Sequence, residues 1–249
     1  GNVWLDAADD SSLLQFGGGI GAGKDVGVGA SVGSLVVLGH TLAEVGGNAS
    51  VTARGLESGV ITIEELQEVE EAKEAQRNEI VDSFNGLANT GLAFADDVKA
   101  AFDTLADIGQ SKAKRDALLD LPTTQRTAKG FAMTANGDHR AVAISLAVGA
   151  STGDAGVGGV VDVGVFGNSV SARVANGASI NSALSGATLG NFGATQDTII
   201  SAQSTGRMIG FTGMVGAAAK AGVGGGATVN VFNGSTQASV DSGAVVKAR

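Results

Sequence analysis

Few side chains in this chain are of the types that do chemistry, and they are scattered. The sequence has two histidines, His40 and His139, and neither cysteine nor tyrosine. No nucleophile motif, zinc-ligand spacing or EF-hand loop surrounds either histidine. His40 aligns with serines at a turn position of a repeated pattern, and His139 stands in the polar stretch Gly-Asp-His-Arg, which is typical of a solvated turn. We therefore expect a protein that is not an enzyme and has no catalytic residues.

Two pairs of adjacent carboxylates, Asp9-Asp10 and Asp96-Asp97, are of the type that binds calcium. Asp96-Asp97 falls near the start of a predicted helix, where acidic side chains stabilise the helix dipole without a metal. The glycine spacing of Gly27–Gly33 opens no predicted helix, so it does not indicate a phosphate-binding loop. We expect no cofactor, and calcium at either carboxylate pair stays the alternative.

The most informative feature of the sequence is one segment that occurs three times. The copies are Gly27–Arg54, Gly156–Ala183 and Gly222–Arg249; each opens on Gly-Val-Gly, and an Ala-x-Val follows sixteen residues later. A second apolar stretch precedes each copy, and its large side chains align in columns. These columns are Leu14/Val142/Ile209, Phe16/Ile144/Phe211 and Ile20/Val148/Val215. Self-similarity of this kind predicts a repeat architecture.

The spacing of large side chains within each copy is two residues, which is the period of a β-strand. Valines such as Val28, Val157 and Val223 share one face, and the opposite face is rich in glycine. No copy can bury its apolar face alone, so we expect that face to be buried by stacking on neighbouring copies. Glycine and asparagine are expected at the corners, where a positive φ is needed.

We therefore predict a mainly β fold, a parallel β-helix (β-solenoid) of three modules of about 45 to 50 residues each. The predicted domains are a first β-solenoid module over 1–55, an insertion over 56–130, and two further modules over 131–249. A stack of antiparallel hairpins, with GAGK, GASTG and GAAAK as turns, remains open as the alternative.

The insertion over 56–130 has the pattern of an acidic α-helical hairpin. Residues 56–121 contain 15 acidic and 6 basic residues, so they account for the whole net charge of −9. Thr62 and Glu65 have the spacing of a helix capping box, and apolar residues then recur at helical spacing over 66–87 and 94–108. The remainder of the chain is neutral and has no basic stripe, so nucleic acid is not an expected partner.

The glycine-rich strand face is the candidate contact surface. Glycines allow another layer to approach closely, whereas a solvent-facing strand usually carries polar side chains. The candidate residues for self-contact are Gly27, Gly29, Gly156, Gly158, Gly222 and Gly224. They predict either a contact between subunits or a contact with another layer of the same chain.

Ala221–Ala248 resembles the repeats of large secreted bacterial adhesins, the filamentous-haemagglutinin-like and leukotoxin-like exoproteins of two-partner secretion. Val223-Gly224-Gly225 and Val229-Asn230-Val231 carry the match, and Val157-Gly158-Gly159 and Val163-Gly164-Val165 echo it. The resemblance implies a right-handed parallel β-helix, an extracellular or bacterial cell-surface location and an adhesive role. It supplies no catalytic residues, and it does not extend to the insertion.

The resulting functional hypothesis is a non-enzymatic structural or adhesive segment that forms a stiff rod. Its expected partners are copies of itself, adjoining repeats of a longer chain, and a host or matrix surface ligand. The chain starts inside one repeat and stops at the end of another, so we expect a piece of something longer. No apolar run is long enough to span a bilayer. The alternatives are a fibre or sheath subunit complete as this chain, and a carbohydrate-active β-helix enzyme.

Overall fold

The computed structural model describes residues 1–56, 58–66 and 123–249. Nearly all regular structure in these ranges is β-strand, with one short 3-10 helix at Leu189–Asn191. The strands are β1 (Val3–Gly23), β2 (Val26–Val45), β3 (Ser50–Val51), β4 (Ile61–Leu66), β5 (Thr123–Ala128), β6 (Gly130–Ser151), β7 (Ala155–Val174), β8 (Ser179–Ile180), β9 (Asp197–Ala217), β10 (Ala221–Val240) and β11 (Val245–Val246).

Three parallel sheets each contain one strand from each of the three similar segments of the chain. Sheet A has the order β1-β6-β9, sheet B has the order β2-β7-β10, and a small third sheet has the order β3-β8-β11. The prediction of a mainly β fold with parallel pairing is therefore confirmed. Among the described strands β1 does not pair with β2, so the alternative of stacked antiparallel hairpins is wrong for them.

The register of the sheets reproduces the columns of the sequence. Leu14 lies opposite Val142, and Val142 lies opposite Ile209. In sheet B, Val157 lies between Val28 and Val223. Residues at equivalent positions of the three segments are thus neighbours on adjacent strands. Similar side chains therefore lie next to each other along each sheet.

Sheets A and B face each other, and the main apolar core lies between them near the start of β1, β6 and β9. Phe131 and Met133 of β6 meet Val170 and Val174 of β7, all of them fully buried. Smaller side chains such as Ala43 and Ala172 complete the same cluster. This end of the molecule therefore has the close-packed interior that stabilises most domains.

At the other end of the long strands, the two sheets approach until backbone meets backbone. A Cβ on Gly19 would overlap the carbonyl of Ala30, and a Cβ on Gly21 would overlap the carbonyl of Val28. Only glycine leaves room for this approach. The glycine-rich face is therefore the inner face, turned toward the other sheet of the same chain.

The valine columns of β2 lie on the outer face, which corrects the expectation that they are buried. Val28 is 61%, Val32 is 79% and Val36 is 63% exposed. The physical reason is the close approach of the sheets, because no large side chain fits between the glycine-lined backbones. The distance between the two sheets therefore determines which face of β2 lies inside.

One turn conformation follows β2, β7 and β10. The third residue of each turn has a positive φ, 63° at Asn48, 75° at Gly177 and 79° at Gly243. Each turn is closed by a backbone hydrogen bond, for example from the N–H of Ala178 to the carbonyl of Ala175. The expectation that asparagine and glycine occupy positive-φ corners is confirmed at these positions.

The two ends of the insertion that the structure describes form an antiparallel strand pair, β4 with β5. Thr62 lies inside β4, so the capping box predicted from Thr62 and Glu65 is wrong. Ile61 and Ile63 bury their side chains against Ala132 and Ile199 of sheet A, which explains why this stretch is extended. No helical hairpin is seen in the described ranges, and residues 67–122, where the predicted helices fall, lie outside them.

Candidate functional site: the faces and edges of the two large sheets

The glycines proposed for self-contact lie on the inner face of sheet B. A Cβ on Gly27 would overlap the carbonyl of Ala150, and one on Gly29 would overlap that of Val148. Gly156 and Gly222 likewise face the backbone of β9, Gly158 is buried, and Gly224 faces Met214. This geometry favours the second interpretation, a contact between layers of one chain.

The outer face of sheet B is an extended exposed apolar surface. Every second residue of β2, β7 and β10 points outward there. Its exposed large side chains, named here the valine face, are Val26, Val28, Val32, Val36, Leu38, Leu42, Val157, Val161, Val223, Val229 and Val231. Exposed apolar patches of this extent are typical of interaction surfaces.

The outer strands of sheet B have an edge without a partner strand in the described ranges. β2 and β10 each pair with β7 alone. The N–H groups of Ala221 and Asp241, at the two ends of β10, donate to carbonyls of Asp154 and Val174. Because backbone groups alternate along a strand, the N–H groups of even-numbered residues of β10 point toward the open edge.

His139 lies in the middle of β6 and is 3% exposed, so the predicted solvated turn is wrong. Its Nδ1 makes a 2.6 Å hydrogen bond with Oγ of Ser11, and its Nε2 lies 3.9 Å from Oδ2 of Asp9. A Cβ on Gly39 would overlap the imidazole, so Gly39 makes room for this ring. The arrangement packs the histidine between the sheets. His40 is exposed within β2 rather than at a turn.

The interior also contains a carboxylate that the sequence did not single out. Asp162 of β7 is fully buried, and Oγ of Ser145 donates a 3.2 Å hydrogen bond to its Oδ2. Its Oδ1 has no hydrogen-bond partner in the described chain. Gly33 lies directly against it, because a Cβ on Gly33 would overlap the carboxylate. The middle of the sheet sandwich is therefore polar, in contrast to the apolar core beside it.

A charged network lies on the outer face of sheet A around Asp138. Arg207 donates from Nη2 to both carboxylate oxygens, at 2.7 and 2.8 Å, and Arg140 donates from Nε at 2.8 Å. Thr205 adds a 2.6 Å hydrogen bond. Burial alone raises the pKa of Asp138, but the hydrogen bonds from Arg140, Thr205 and Arg207 outweigh it and hold that pKa below its ordinary value.

A second ion pair, on the outside of the sandwich, joins the end of β7 to the turn after β10. The guanidinium of Arg173, at the end of β7, donates to the carboxylate of Asp241, which follows β10. That hydrogen bond lowers the pKa of Asp241 and raises the pKa of Arg173. Both groups are solvent-facing, so the pair adds little stability.

Asp9-Asp10, one of the two carboxylate pairs considered for calcium, does not present both carboxylates on one face of its strand. Asp9 and Asp10 are consecutive residues of β1, and their side chains therefore point to opposite faces. Asp96-Asp97 lies outside the described residues. Within the described part of the chain, no group of three or more His, Cys, Asp or Glu side chains is placed to hold a metal ion.

Comparisons with protein-family models, with curated protein sequences and with solved structures find no match for this chain. Of the helices in the ranges described, none has the length and apolarity needed to cross a membrane.

Sequence reasoning missed the outward orientation of the valine face and the network at Asp138. The sequence contained no decisive signal for the first, because both faces of β2 have columns that are identical in all three segments. Val28 and Val36 belong to such columns on one face, and Ala43 and Val45 belong to such columns on the other. No signal existed for Asp138 either, because Arg207 is 69 residues away.

Proposed function

We propose that this chain is a non-enzymatic structural segment of an extracellular or cell-surface β-solenoid that forms a stiff rod and joins end to end with further copies. The in-register stacking of three similar segments in both large sheets supports the proposal. A stack built in this way has the same geometry at each added layer, so another copy can continue it.

The open strand edges support the end-to-end contact. β1 and β2 lie at one end of the stack, and β9 and β10 lie at the other. Long unpaired edges favour pairing with another chain. The similarity between the β2 and β10 segments means that β2 of a second copy could follow β10 with the register that β7 already shows.

The adhesive part of the proposal rests on the resemblance of Ala221–Ala248 to secreted adhesin repeats. In that role the rod would display its outer surfaces to a host or matrix ligand. The mechanism is mechanical, because a ladder of main-chain hydrogen bonds resists bending and extension. Copies of the chain, or adjoining repeats of a longer one, are the proposed partners.

Electron microscopy of the purified chain at rising concentrations, with and without calcium, tests the end-to-end contact. We expect filaments of constant width that lengthen with concentration. Thr236→Pro removes an N–H that faces the open edge of β10, and proline is tolerated on edge strands. The variant should keep the β-rich circular dichroism of the parent and form no filaments.

The matched control is Thr236→Val, which keeps the N–H and the branched side chain. It should form filaments like the parent. Short isolated particles of the parent at every concentration, or unchanged filaments of Thr236→Pro, would contradict end-to-end assembly.

A further inference from the structure

The valine face has an unusual composition as well as unusual exposure. Three sets of outward side chains cover it, Val26 to Leu42 of β2, Ala155 to Ser171 of β7 and Ala221 to Gln237 of β10. None of these outward positions is Asp, Glu, Lys or Arg. The first charged column is Glu44 beside Arg173, at the far end of the strands. The face is thus a continuous uncharged surface three strands wide.

The extent of this surface matches what a stable protein contact needs. Its eleven large apolar side chains are 37% to 79% exposed. At about 60 to 120 Å² for each fully exposed side chain, they present on the order of 500 Å² of apolar surface. A standard interface buries about 800 Å² per partner, and somewhat more than half of that area is apolar.

The relief of the face suits a copy of itself. The column Val28/Val157/Val223 forms one ridge, and the column that begins with Val32 and Val161 forms the next. Between them runs a groove of Ala30, Gly159 and Gly225, and a Cβ on Gly225 would have no neighbour within 4 Å. Neighbouring columns are about 6.6 Å apart, so the ridges of one sheet can enter the groove of another.

Electrostatics also permit two copies to meet through this face. The net charge of −9 comes from residues 56–121, and the rest of the sequence has 10 basic and 10 acidic residues. By contrast, the outer face of sheet A presents Asp6, Asp10 and the Asp138 network, and the β4–β5 pair covers part of it. A second copy can therefore approach the outer face of sheet B without bringing like charges together.

We propose that the valine face is a lateral interface that pairs face to face with the valine face of a second copy of this chain. The two sheets pack about 10 Å apart around a two-fold axis, because one surface serves both partners. This contact is separate from the end-to-end assembly proposed above and does not depend on it. In a fibre it would join two rods side by side.

Sedimentation equilibrium of the Thr236→Pro chain tests the lateral contact with end-to-end assembly weakened, because the proline blocks the open edge of β10. We expect dimers with a dissociation constant in the micromolar range. Val32→Lys in that background should raise the constant at least about a hundredfold, since dimerisation would bury an unpaired charge. The side chain of Val32 is exposed in the single chain, so thermal unfolding of this variant should match the parent at chain concentrations below the dissociation constant.

The matched control is Ile20→Lys, because Ile20 is 72% exposed and lies on the outer face of sheet A. It should leave the dissociation constant unchanged within about threefold. Since the chain has no native cysteine, Val32→Cys and Ile20→Cys give an independent test. A flexible thiol-specific cross-linker, which joins thiols that do not touch, should link Val32→Cys chains into dimers much faster than Ile20→Cys chains.

Three results would each overturn the proposal. The first is a Thr236→Pro chain that stays monomeric up to about millimolar concentration. The second is Val32→Lys in the same background with an unchanged dissociation constant, and the third is equal cross-linking of the two cysteine variants. If the wild-type chain forms dimers but no filaments, the lateral contact stands and end-to-end assembly fails. If the wild-type chain forms single-width filaments and Val32→Lys in the wild-type chain does not alter them, end-to-end assembly is supported and the lateral contact is contradicted.

Discussion

At the scale of single residues, the inner glycines matter because they set the distance between the two sheets. A Cβ on Gly29 would overlap the carbonyl of Val148 and lie 3.0 Å from the carbonyl oxygen of Gly19. Neither neighbour is a flexible side chain that can move aside. The backbone of one sheet would have to shift, and the hydrogen bonds of the whole strand would shift with it.

We predict that Gly29→Ala lowers the free energy of unfolding by about 3 kcal/mol through overpacking. The control is Gly225→Ala on the outer face, where a Cβ meets nothing within 4 Å. It should change the free energy by less than about 0.5 kcal/mol. Urea unfolding of both variants gives the measurement, and equal costs would show that the sheets do not approach as described.

The charge on Asp138 predicts a pH dependence of stability. The pKa of this carboxyl is lower in the folded protein than its ordinary value of 3.8. The stabilisation is therefore present above that ordinary value and is lost as the pH falls through the lower folded value. Asp138→Asn also leaves Arg207, whose side chain is 11% exposed, without its carboxylate partner.

We expect Asp138→Asn to cost about 3 kcal/mol at pH 7. The difference from the parent should shrink steadily below about pH 4. Urea unfolding at several pH values between 2 and 7 measures both quantities. A difference that stays constant over this range would contradict the role assigned to the carboxylate.

At the scale of elements, the β4–β5 pair shows how tertiary packing overrides a local pattern. Thr62 and Glu65 fit a helix start, yet Ile61 and Ile63 alternate toward sheet A and become buried. Burial of two isoleucines stabilises by several kcal/mol, whereas a capping interaction contributes about 1 kcal/mol. The extended conformation therefore wins.

Two substitutions separate these interpretations. Ile63→Ala should destabilise the protein by about 3 kcal/mol, because it empties a buried site. Thr62→Ala should cost less than about 0.5 kcal/mol, since this side chain is exposed on a strand. Thermal unfolding of both variants is the measurement, and a larger cost for Thr62→Ala than for Ile63→Ala would restore the helix cap.

At the scale of the whole molecule, stability should decrease from the central strands to the open edges. β6 is buried over nearly its whole length, and β10 is exposed over nearly its whole length. The aromatic stack of Phe166 and Phe232, with ring centres 5.2 Å apart, anchors β10 to β7. An edge held on one side opens more easily than a strand held on two.

Hydrogen exchange with mass spectrometry should therefore find the slowest exchange in peptides of β6 and the fastest in peptides of β10. Under conditions that form filaments, β10 should become protected, because a second copy would then pair with its edge. Equally slow exchange of β6 and β10 in dilute solution would contradict the open edge.

Much of the fold followed from the sequence because the pattern that specifies it is local and repeated. Period two predicts strands, identity between the three segments predicts which residues are neighbours, and glycine or asparagine marks the corners. The columns through Leu14 and Val28 appear in the sheets as they align in the sequence. These properties depend on the backbone and on spacing, so the sequence alone was sufficient.

The tertiary structure alone decided which face is inside, and with it the candidate site. A strand with period two has two faces, one with large side chains and one with glycines. Only the distance between the sheets determines which of these faces fits between them. The same holds for His139, Asp162 and Asp138, whose surroundings come from segments far away in the chain. Local spacing cannot specify those distances, because they arise only when the two sheets meet.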